Sequence, residues 1–348
     1  MSSLHIQPDP RCWGVSAYGC NPIHMIPIRL LPLERVVLSS LFGLAIFLFI
    51  LLLSLRAFSQ VDLINSSVKH IHIRHPLHEQ EELLYARSTQ YFVNLLKLAA
   101  KNSGYTLSRE PVVLPSITGS RNARNLQSKL YDINWMHTNS EREQELLPIR
   151  IPLFRGLIGW RIFLVRREDS EKFAGIKVVD DIRSLTAGIG HDWPDIAIYR
   201  HNKYKIFSSS GRQSLVSMLK GRRIDYFPRA IPEAWKEIDL LNAHDIVVED
   251  TLALRYHSAY YFFVTKENRE LAELIEKGLQ IAIDDGSFEK MFFEYYDDYL
   301  ARTKLENRKV FNMANPHFRD VANPEDAKLW FEIEDYIRYK RTKAGIKY

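Results

Sequence analysis

The chain has 348 residues, of which 46% are hydrophobic and 12% aromatic, and its formal charge is +5. This length exceeds one typical domain, so we expect two domains or lobes, and the apolar content excludes a largely disordered chain. The first 59 residues carry four basic and two acidic side chains, and the small positive excess over the remainder is too dispersed to predict a nucleic-acid partner. Both cysteines lie at positions 12 and 20, which excludes a disulfide framework, a cysteine nucleophile and a thiolate metal site in the remaining chain.

An uncharged apolar run covers residues 36–55, with Arg35 before it and Arg56 directly after it. Basic residues ahead of such a run predict that the N-terminus stays inside the cell and that the following chain is exported. The run is long enough to cross a bilayer as a permanent helix. We therefore expect a periplasmic protein that is either soluble after cleavage or anchored to the inner membrane.

The residues around this run leave its fate open. Residues 57–59 place small side chains at the two positions that a signal peptidase inspects, with Gln60 as the first mature residue. The preceding segment is long for a signal peptide, and Met25 as the true start would give a compact basic region. Cleavage and anchoring both remain open from the sequence.

The exported part begins with a pattern of alternating strands and helices. Residues 67–75 alternate and predict a strand that ends at Pro76, and residues 81–102 have a helical period. A strand over 112–114 follows, and strand, helix, strand is the start of a parallel α/β layer. Further helices are predicted over 121–130, 179–185, 213–220, 269–284, 287–300 and 326–340, and further strands over 131–136, 159–166, 186–190, 224–227 and 260–266.

Several local sequences, together with this order of elements, resemble a known family. They cover residues 132–143 with 147–152, residues 156–161, residues 188–195 and residues 221–229. The chain over about 68–300 resembles the extracytoplasmic solute-binding proteins of the amino-acid type (solute-binding family 3). The resemblance implies the α/β type II periplasmic binding fold, with two lobes that are joined by two crossing strands and close on a ligand in the crevice between them.

The resemblance also implies a division of the chain. Residues 1–59 would be the signal peptide or anchor, and lobe 1 would combine residues 60–163 with 262–305. Lobe 2 would be the inserted segment 164–261, with the crossing strands at 159–166 and 260–266. Residues 306–348 lie outside the resemblance, and we expect them to pack on lobe 1.

Arg142 and Thr138 are the first candidate ligand-binding residues. A small solute with a carboxylate needs a planar cationic donor and neutral donors beside it, and the loop after the predicted strand over 131–136 supplies both. The resemblance implies that these two side chains bind the ligand carboxylate. Alternatively, residues 140–143 only begin a solvated helix, with Ser140 as its cap.

A glycine turn at Gly188 and Gly190 is the second candidate, followed by His191 and Asp192. Exposed backbone amides at a turn between a strand and a helix bind anionic groups. The alternative is a turn with no role beyond its shape.

Trp135 and Trp193 are candidates for the walls of the cleft, although a tryptophan also serves as core. Arg74 and His75 end the first strand and would face the cleft. Metal binding by the strand's histidines at positions 70, 72, 75 and 78 is possible by spacing, but a polar strand face explains them better.

The sequence departs from the family after the predicted strand over 224–227. Amino-acid binders of the family usually place an acidic residue there to receive the ligand's ammonium group, whereas this chain has Arg229, with Glu233 further on. Either Glu233 takes that role, or the ligand is not an ordinary α-amino acid. Arg229 together with Arg142 would favour a more anionic solute, unless Arg229 faces solvent or pairs with a carboxylate.

The sequence therefore predicts a binding protein for a small zwitterionic or anionic, amino-acid-like solute. It would serve an ABC-type permease or a sensor, without a cofactor, a metal or a catalysed reaction. Two alternatives remain: a dehydratase-like enzyme on the same fold, and a membrane-tethered sensory or structural relative that has lost transport binding.

Overall fold

The computed structural model describes residues 46–52, 69–78, 82–115, 119–318, 326 and 328–345. The chain divides into two compact units, residues 1–66 and 67–348. In the first unit, residues 46–52 are helical and their apolar side chains are exposed. Over the described ranges, no helix is both long and apolar enough to cross a membrane. The rest of the predicted signal or anchor segment lies outside those ranges.

The second unit alternates strands and helices along the described chain. Its strands are β1 (Lys69–His78), β2 (Tyr105–Leu114), β3 (Asn134–His137), β4 (Leu147–Ile149), β5 (Trp160–Arg166), β6 (Thr186–Gly190), β7 (Lys205–Ser209), β8 (Phe227–Ala230), β9 (Ile246–Val248), β10 (Leu252–Arg255), β11 (Tyr260–Val264) and β12 (Lys309–Asn312). Its α-helices are α1 (Glu82–Asn102), α2 (Gly119–Gln127), α3 (Ser140–Glu145), α4 (Ser170–Ala174), α5 (Val179–Ser184), α6 (Asp195–His201), α7 (Arg212–Lys220), α8 (Ala234–Leu240), α9 (Arg269–Asp284), α10 (Ser287–Thr303) and α11 (Ile333–Lys343).

The first lobe contains two small sheets. β1 and β2 pair in parallel and flank α1, which confirms the predicted strand–helix–strand unit. β11 pairs antiparallel with both β3 and β4. A backbone hydrogen bond of 3.0 Å from the amide of Asp132 to the carbonyl of Arg74, in the middle of β1, links this strand to the segment before β3.

The second lobe is built on β5. Its sequence, WRIFLVR, is buried throughout, and β10, β8 and β9 all pair antiparallel with it. β6 and β7 form a separate parallel pair. β5 thus lies in the sheet of lobe 2 and β11 in that of lobe 1, and the chain passes between the lobes before β5 and after β10.

Two strands differ in position from their predictions: one is longer at its C-terminal end, and the other is shifted toward the C-terminus. β1 continues through Pro76 to His78, because β1 pairs only with β2 among the described strands and one of its edges needs no amide donor. The strand predicted over 224–227 lies at β8 instead, which includes Arg229. β8 pairs antiparallel with β5, with Arg229 opposite Ile162.

The C-terminal tail contacts more than lobe 1, on which we expected it to pack. β12 pairs in parallel with β10 and so extends the sheet of lobe 2. α11 packs on α10 in lobe 1, where the rings of Phe293 and Tyr339 stack at 4.5 Å. Between these elements, the ring of Trp330 occupies the space that a Cβ at Gly156 would need, with 2.4 Å between them. The tail therefore contacts both lobes.

At Gly278 the helix α9 packs closely against α1, and this position provides a test of the packing. A Cβ at Gly278 would lie 1.8 Å from the carbonyl oxygen of Ala99, which is backbone and cannot rotate away. We expect Gly278→Ala to lower the free energy of unfolding by about 1–3 kcal/mol through overpacking, as measured by urea denaturation. Gly175→Ala is the matched control, because its nearest contact would be 3.4 Å and its backbone is helical. Equal stability of the two variants would contradict the packing described here.

Candidate ligand-binding cleft

A cleft of about 1760 Å³ lies between the two lobes. Lobe 1 lines it with the ends of β1 and β3 and the start of α3, and lobe 2 with the segments that follow β6 and β7 and with the end of β8. Its volume exceeds the roughly 300–1,000 Å³ of ordinary small-molecule sites, so the cleft has room for a solute and water.

Arg142 lies in the first turn of α3, where its guanidinium lines the cleft. Asn139, and not Ser140 as predicted, caps this helix, since its side-chain oxygen accepts a 2.7 Å hydrogen bond from the Arg142 amide. The guanidinium donates one hydrogen bond to the carbonyl of His137, and its Nε is buried without a partner. No ion pair to Arg142 is present over the described ranges, and burial lowers its pKa.

Thr138 and Arg74 both point to other partners. The Thr138 hydroxyl donates to Glu143 at 2.5 Å and lines a separate cavity of about 20 Å³. Arg74 forms an ion pair with Asp132 at 2.7 Å, while its neighbour His75 lines the cleft. The structure therefore brings neither Thr138 nor Arg74 to Arg142.

Arg229 lines the lobe-2 side of the cleft but is paired there. Its guanidinium lies 2.9 Å from Glu233 and 2.5 Å from Glu237, and its Cζ is 4.6 Å from the ring centroid of Trp193. Arg229 and Glu237 are almost fully buried. Burial raises the pKa of Glu237 although Arg229 acts in the opposite direction. The sequence leaves open whether Arg229 contacts the ligand, faces solvent or pairs with a carboxylate. In the structure it pairs with Glu233 and Glu237.

Sequence reasoning missed a second buried pair in the cleft. Nη2 of Arg161 lies 2.7 Å from Asp195, and its Nε donates to the Tyr256 hydroxyl at 2.5 Å, which in turn donates to Asp195. Burial is the largest single cause and acts to raise the pKa of Asp195, but the charge of Arg161 and the hydrogen bond from Tyr256, together with smaller effects of His137 and Arg229, lower it overall. The available signal was an arginine inside an otherwise apolar strand, which requires a buried counter-charge.

The glycine turn is explained by close packing. A Cβ at Gly188 would lie 2.3 Å from Ile224, and one at Gly190 would lie 2.4 Å from the Trp193 ring. The amide of Gly188 donates to Tyr226 and that of His191 to Ser209, both within the protein. These two amides are therefore not available to an anion, and neither glycine lines the cleft.

The segment after this turn does reach the cleft. His191 and Asp192 line it with exposed side chains, and Trp193 lines it half-buried. On the lobe-1 side, Trp135 and Tyr260 are also half-buried cleft residues. Aromatic side chains thus line the cleft from both lobes.

His137 lies among these charges, and its titration gives a pH test. Burial is the largest cause that lowers its pKa to about 4; Asp195 opposes this effect and Arg161 adds to it. An unfolded histidine titrates near pH 6.5, so below that pH the unfolded chain binds more protons and stability falls as pH decreases toward about 4. The full shift would correspond to about 3 kcal/mol, and because the side chain is only half-buried we expect about 1–2 kcal/mol.

The measurement is urea unfolding at about pH 7 and pH 4.5 for the wild type and His137→Gln. His75 and His257 also have lowered pKa values and act in the same direction, so the variant should lose only part of the pH dependence. An unchanged pH dependence in His137→Gln would show that this histidine is not responsible.

Comparisons with known proteins give distant similarities in structure alone. No family model and no curated protein matches the chain. A mutant of ArgBP from T. maritima covers 68% of this chain and 99% of its own, at 17% identity and a TM-score of 0.44. An ancestral arginine-binding protein bound to arginine covers 65% and 98%, at 18% identity and 0.45. A histidine kinase sensor domain with similarity to periplasmic binding proteins covers 65% and 96%, at 15% identity and 0.46. Similarity at this distance assigns neither a ligand nor a role.

Proposed function

We propose that this chain binds a small solute through a carboxylate or similar anionic group, in the cleft between its lobes. The exported location that the sequence predicts makes it a periplasmic binder, serving an ABC-type permease or a sensor. The observation that carries the proposal is Arg142, a half-buried cation that lines the cleft and has no ion pair among the described residues.

The energetic argument compares Arg142 with the other arginines in the cleft. Burying a charge is costly unless it is paired. Arg161 and Arg229 have carboxylate partners, whereas over the described ranges Arg142 has no ion pair and donates to the carbonyl of His137. A bound carboxylate would supply the missing acceptors, and two parallel hydrogen bonds to a guanidinium are among the stronger contacts in proteins. Without a ligand, the Arg142 guanidinium therefore lacks an ion-pair partner, and a bound anion would supply one.

A cleft between two lobes requires a division of the chain into lobes, and we propose that division as well. The sequence predicts lobe 1 at residues 60–163 with 262–305 and lobe 2 at residues 164–261. We move the two boundaries to just before β5 and just before β11, so that each strand stays with the sheet in which it pairs. The tail over 306–348 then contacts both lobes through β12 and α11, and closure of the cleft would have to accommodate it.

The test is a thermal-shift screen of the protein with amino acids, dicarboxylates and monocarboxylates, each beside the amide in which every carboxylate is replaced by a carboxamide. A ligand at 100 times its dissociation constant stabilises the folded state by about 2.7 kcal/mol, which is a shift of several degrees. We expect at least one acid, and not its amide, to raise the melting temperature. If no acid does so, or if each amide acts equally, the proposal is wrong.

A further inference from the structure

The two connections that join the lobes ahead of the tail lie side by side. The first runs through Gly156 and Gly159 into β5, and the second runs from β10 through Tyr256 and His257 to β11. The amide of Tyr256 donates to the carbonyl of Gly159 at 3.2 Å, and a Cβ at Gly159 would lie 2.0 Å from the carbonyl oxygen of Tyr256. These two connections form the hinge, because a change in the angle between the lobes requires rotation of their backbone dihedral angles.

Two aromatic residues of the tail lie directly on this hinge. The Trp330 ring fills the space beside Gly156 on the first connection, and its centroid lies 5.3 Å from the ring of His257 on the second. The amide of Phe331 donates to the carbonyl of Arg155 at 2.6 Å. Trp330 and Phe331 are 4% and 1% exposed, so the tail is packed against both connections at once.

The next contacts of the tail reach the strands of lobe 2 at the hinge. The Phe331 ring lies edge-on to the ring of Trp160, the first residue of β5, at 6.1 Å. Glu332 forms an ion pair with Arg255, the last residue of β10, whose guanidinium lies 4.7 Å from the Trp160 ring centroid. Residues 330–332, which we call the hinge latch, therefore contact the chain on both sides of the hinge.

The tail is also fastened to each lobe on either side of the hinge latch. Asn202, at the end of α6 in lobe 2, donates to the carbonyl of Ala314 at 2.7 Å and accepts from its amide at 3.0 Å. In lobe 1, Arg155 forms an ion pair of 3.0 Å with Asp335 of α11. Because the two ends are held by different lobes, the hinge latch cannot move with one lobe alone.

A rotation of the lobes would break part of these contacts. Buried side chains pack as densely as organic crystals, so Trp330 and Phe331 cannot keep their contacts with both connections when the connections turn. In the present arrangement the cleft has about 1760 Å³, more than the roughly 300–1,000 Å³ of ordinary small-molecule sites, and is therefore open. The contacts of the hinge latch thus stabilise the open arrangement over a closed one.

We infer that the hinge latch holds the two lobes open and raises the free energy of closing the cleft. The inference concerns the angle between the lobes, so it does not depend on the ligand proposed above. It gives the tail, which lies outside the part of the chain that resembles the solute-binding family, a conformational role.

The experiment measures the distance across the cleft in the full chain without ligand, by double electron–electron resonance. Gln127 in lobe 1 and Gln213 in lobe 2 line the cleft with exposed side chains, and each is replaced by a spin-labelled cysteine. Serine replaces the natural cysteines at positions 12 and 20. With the hinge latch intact, we expect a closed population of about 10% or less. Trp330→Leu should raise this shorter-distance population at least about 5-fold, because it removes ring contacts with both connections.

A second variant and a control accompany Trp330→Leu. Glu332→Gln removes a partly exposed ion pair but keeps a side-chain oxygen to cap α11, so it puts the fold at less risk. It should shift the distances in the same direction by a smaller amount. Tyr339→Leu is the matched control, because the ring contacts of Tyr339 are with Phe293 of lobe 1 and with the tail's own Tyr336. It should leave the distances unchanged, and urea denaturation reports whether each variant is folded.

Three results would overturn the inference. The first is an unchanged distance distribution in folded Trp330→Leu, or in Glu332→Gln if Trp330→Leu does not fold. The second is a shift to longer distances, which would mean that the hinge latch favours closure. The third is an equal change in Tyr339→Leu, which would mean that any loosening of the tail has this effect. Because no ligand is added, a negative thermal-shift screen would reject the proposed function and leave this inference standing.

Discussion

Replacing Arg142 by glutamine should lower the affinity for the best anionic ligand by about 100-fold, a loss of about 2.7 kcal/mol. Glutamine keeps one donor and much of the side-chain volume but removes the charge and the two-pronged geometry that a carboxylate requires. Without ligand, the variant should be as stable as the wild type or more stable. A half-buried guanidinium with no ion pair in the described part of the chain contributes a desolvation penalty that glutamine avoids.

The two readouts together distinguish a binding arginine from a structural one. Titration calorimetry gives the affinity, and urea denaturation without ligand gives the stability. Arg124→Gln is the matched control, because Arg124 lines the same cleft with an exposed side chain; it should change affinity by less than about 5-fold, as expected for a screened charge. If Arg142→Gln instead keeps full affinity and loses stability, the side chain serves the fold.

Arg229→Leu should lower the free energy of unfolding by about 3–5 kcal/mol, since it leaves buried carboxylates without their nearest positive charge. Glu237 is 1% exposed and lies 2.5 Å from Arg229, and after the substitution the nearest cation is Arg212 at 3.8 Å. The stacking of the guanidinium on Trp193 would be lost as well.

Two further variants make this prediction specific to charge burial. The double variant Arg229→Leu with Glu237→Leu should recover a large part of the loss, because it removes the unpaired charge with its partner. The control is Arg222→Leu, which breaks an ion pair with Glu168 whose side chains are 63% and 60% exposed; it should cost less than about 1 kcal/mol. Guanidinium chloride would mask these effects through its ionic strength, so the denaturant should be urea. A small effect of Arg229→Leu, or no recovery in the double variant, would contradict the account.

Much of the architecture follows from local patterns. The alternation in residues 67–75, the helical period over 81–102 and the turn residues between them predict a parallel β–α–β unit, which the structure confirms. The pattern over 159–166 likewise predicts a strand, which the structure has at β5. These predictions succeed because the spacing of the apolar residues within an element indicates which of its faces is buried.

Only some of the residues that line the cleft could be predicted from the sequence. Trp135, Arg142, His191, Asp192 and Arg229 all line it. Thr138, Arg74 and the two glycines do not, because each has a partner that is distant in the sequence or lies in a different element. Thr138 is held by Glu143, and Arg74 by Asp132, 58 residues further along the chain.

The sequence by itself determined that the chain alternates strands and helices, that a loop carrying Arg142 follows a short strand, and that Arg229 and not an acidic residue comes directly after the strand predicted over 224–227. Only the tertiary structure decided which arginines are paired with carboxylates. Arg229 and Arg161 are neutralised by Glu237 and Asp195, whereas Arg142 lies in the cleft with no ion pair over the described ranges. The physical reason is that pairing depends on distance and burial across separate elements, and neither quantity can be read from the local spacing of residues.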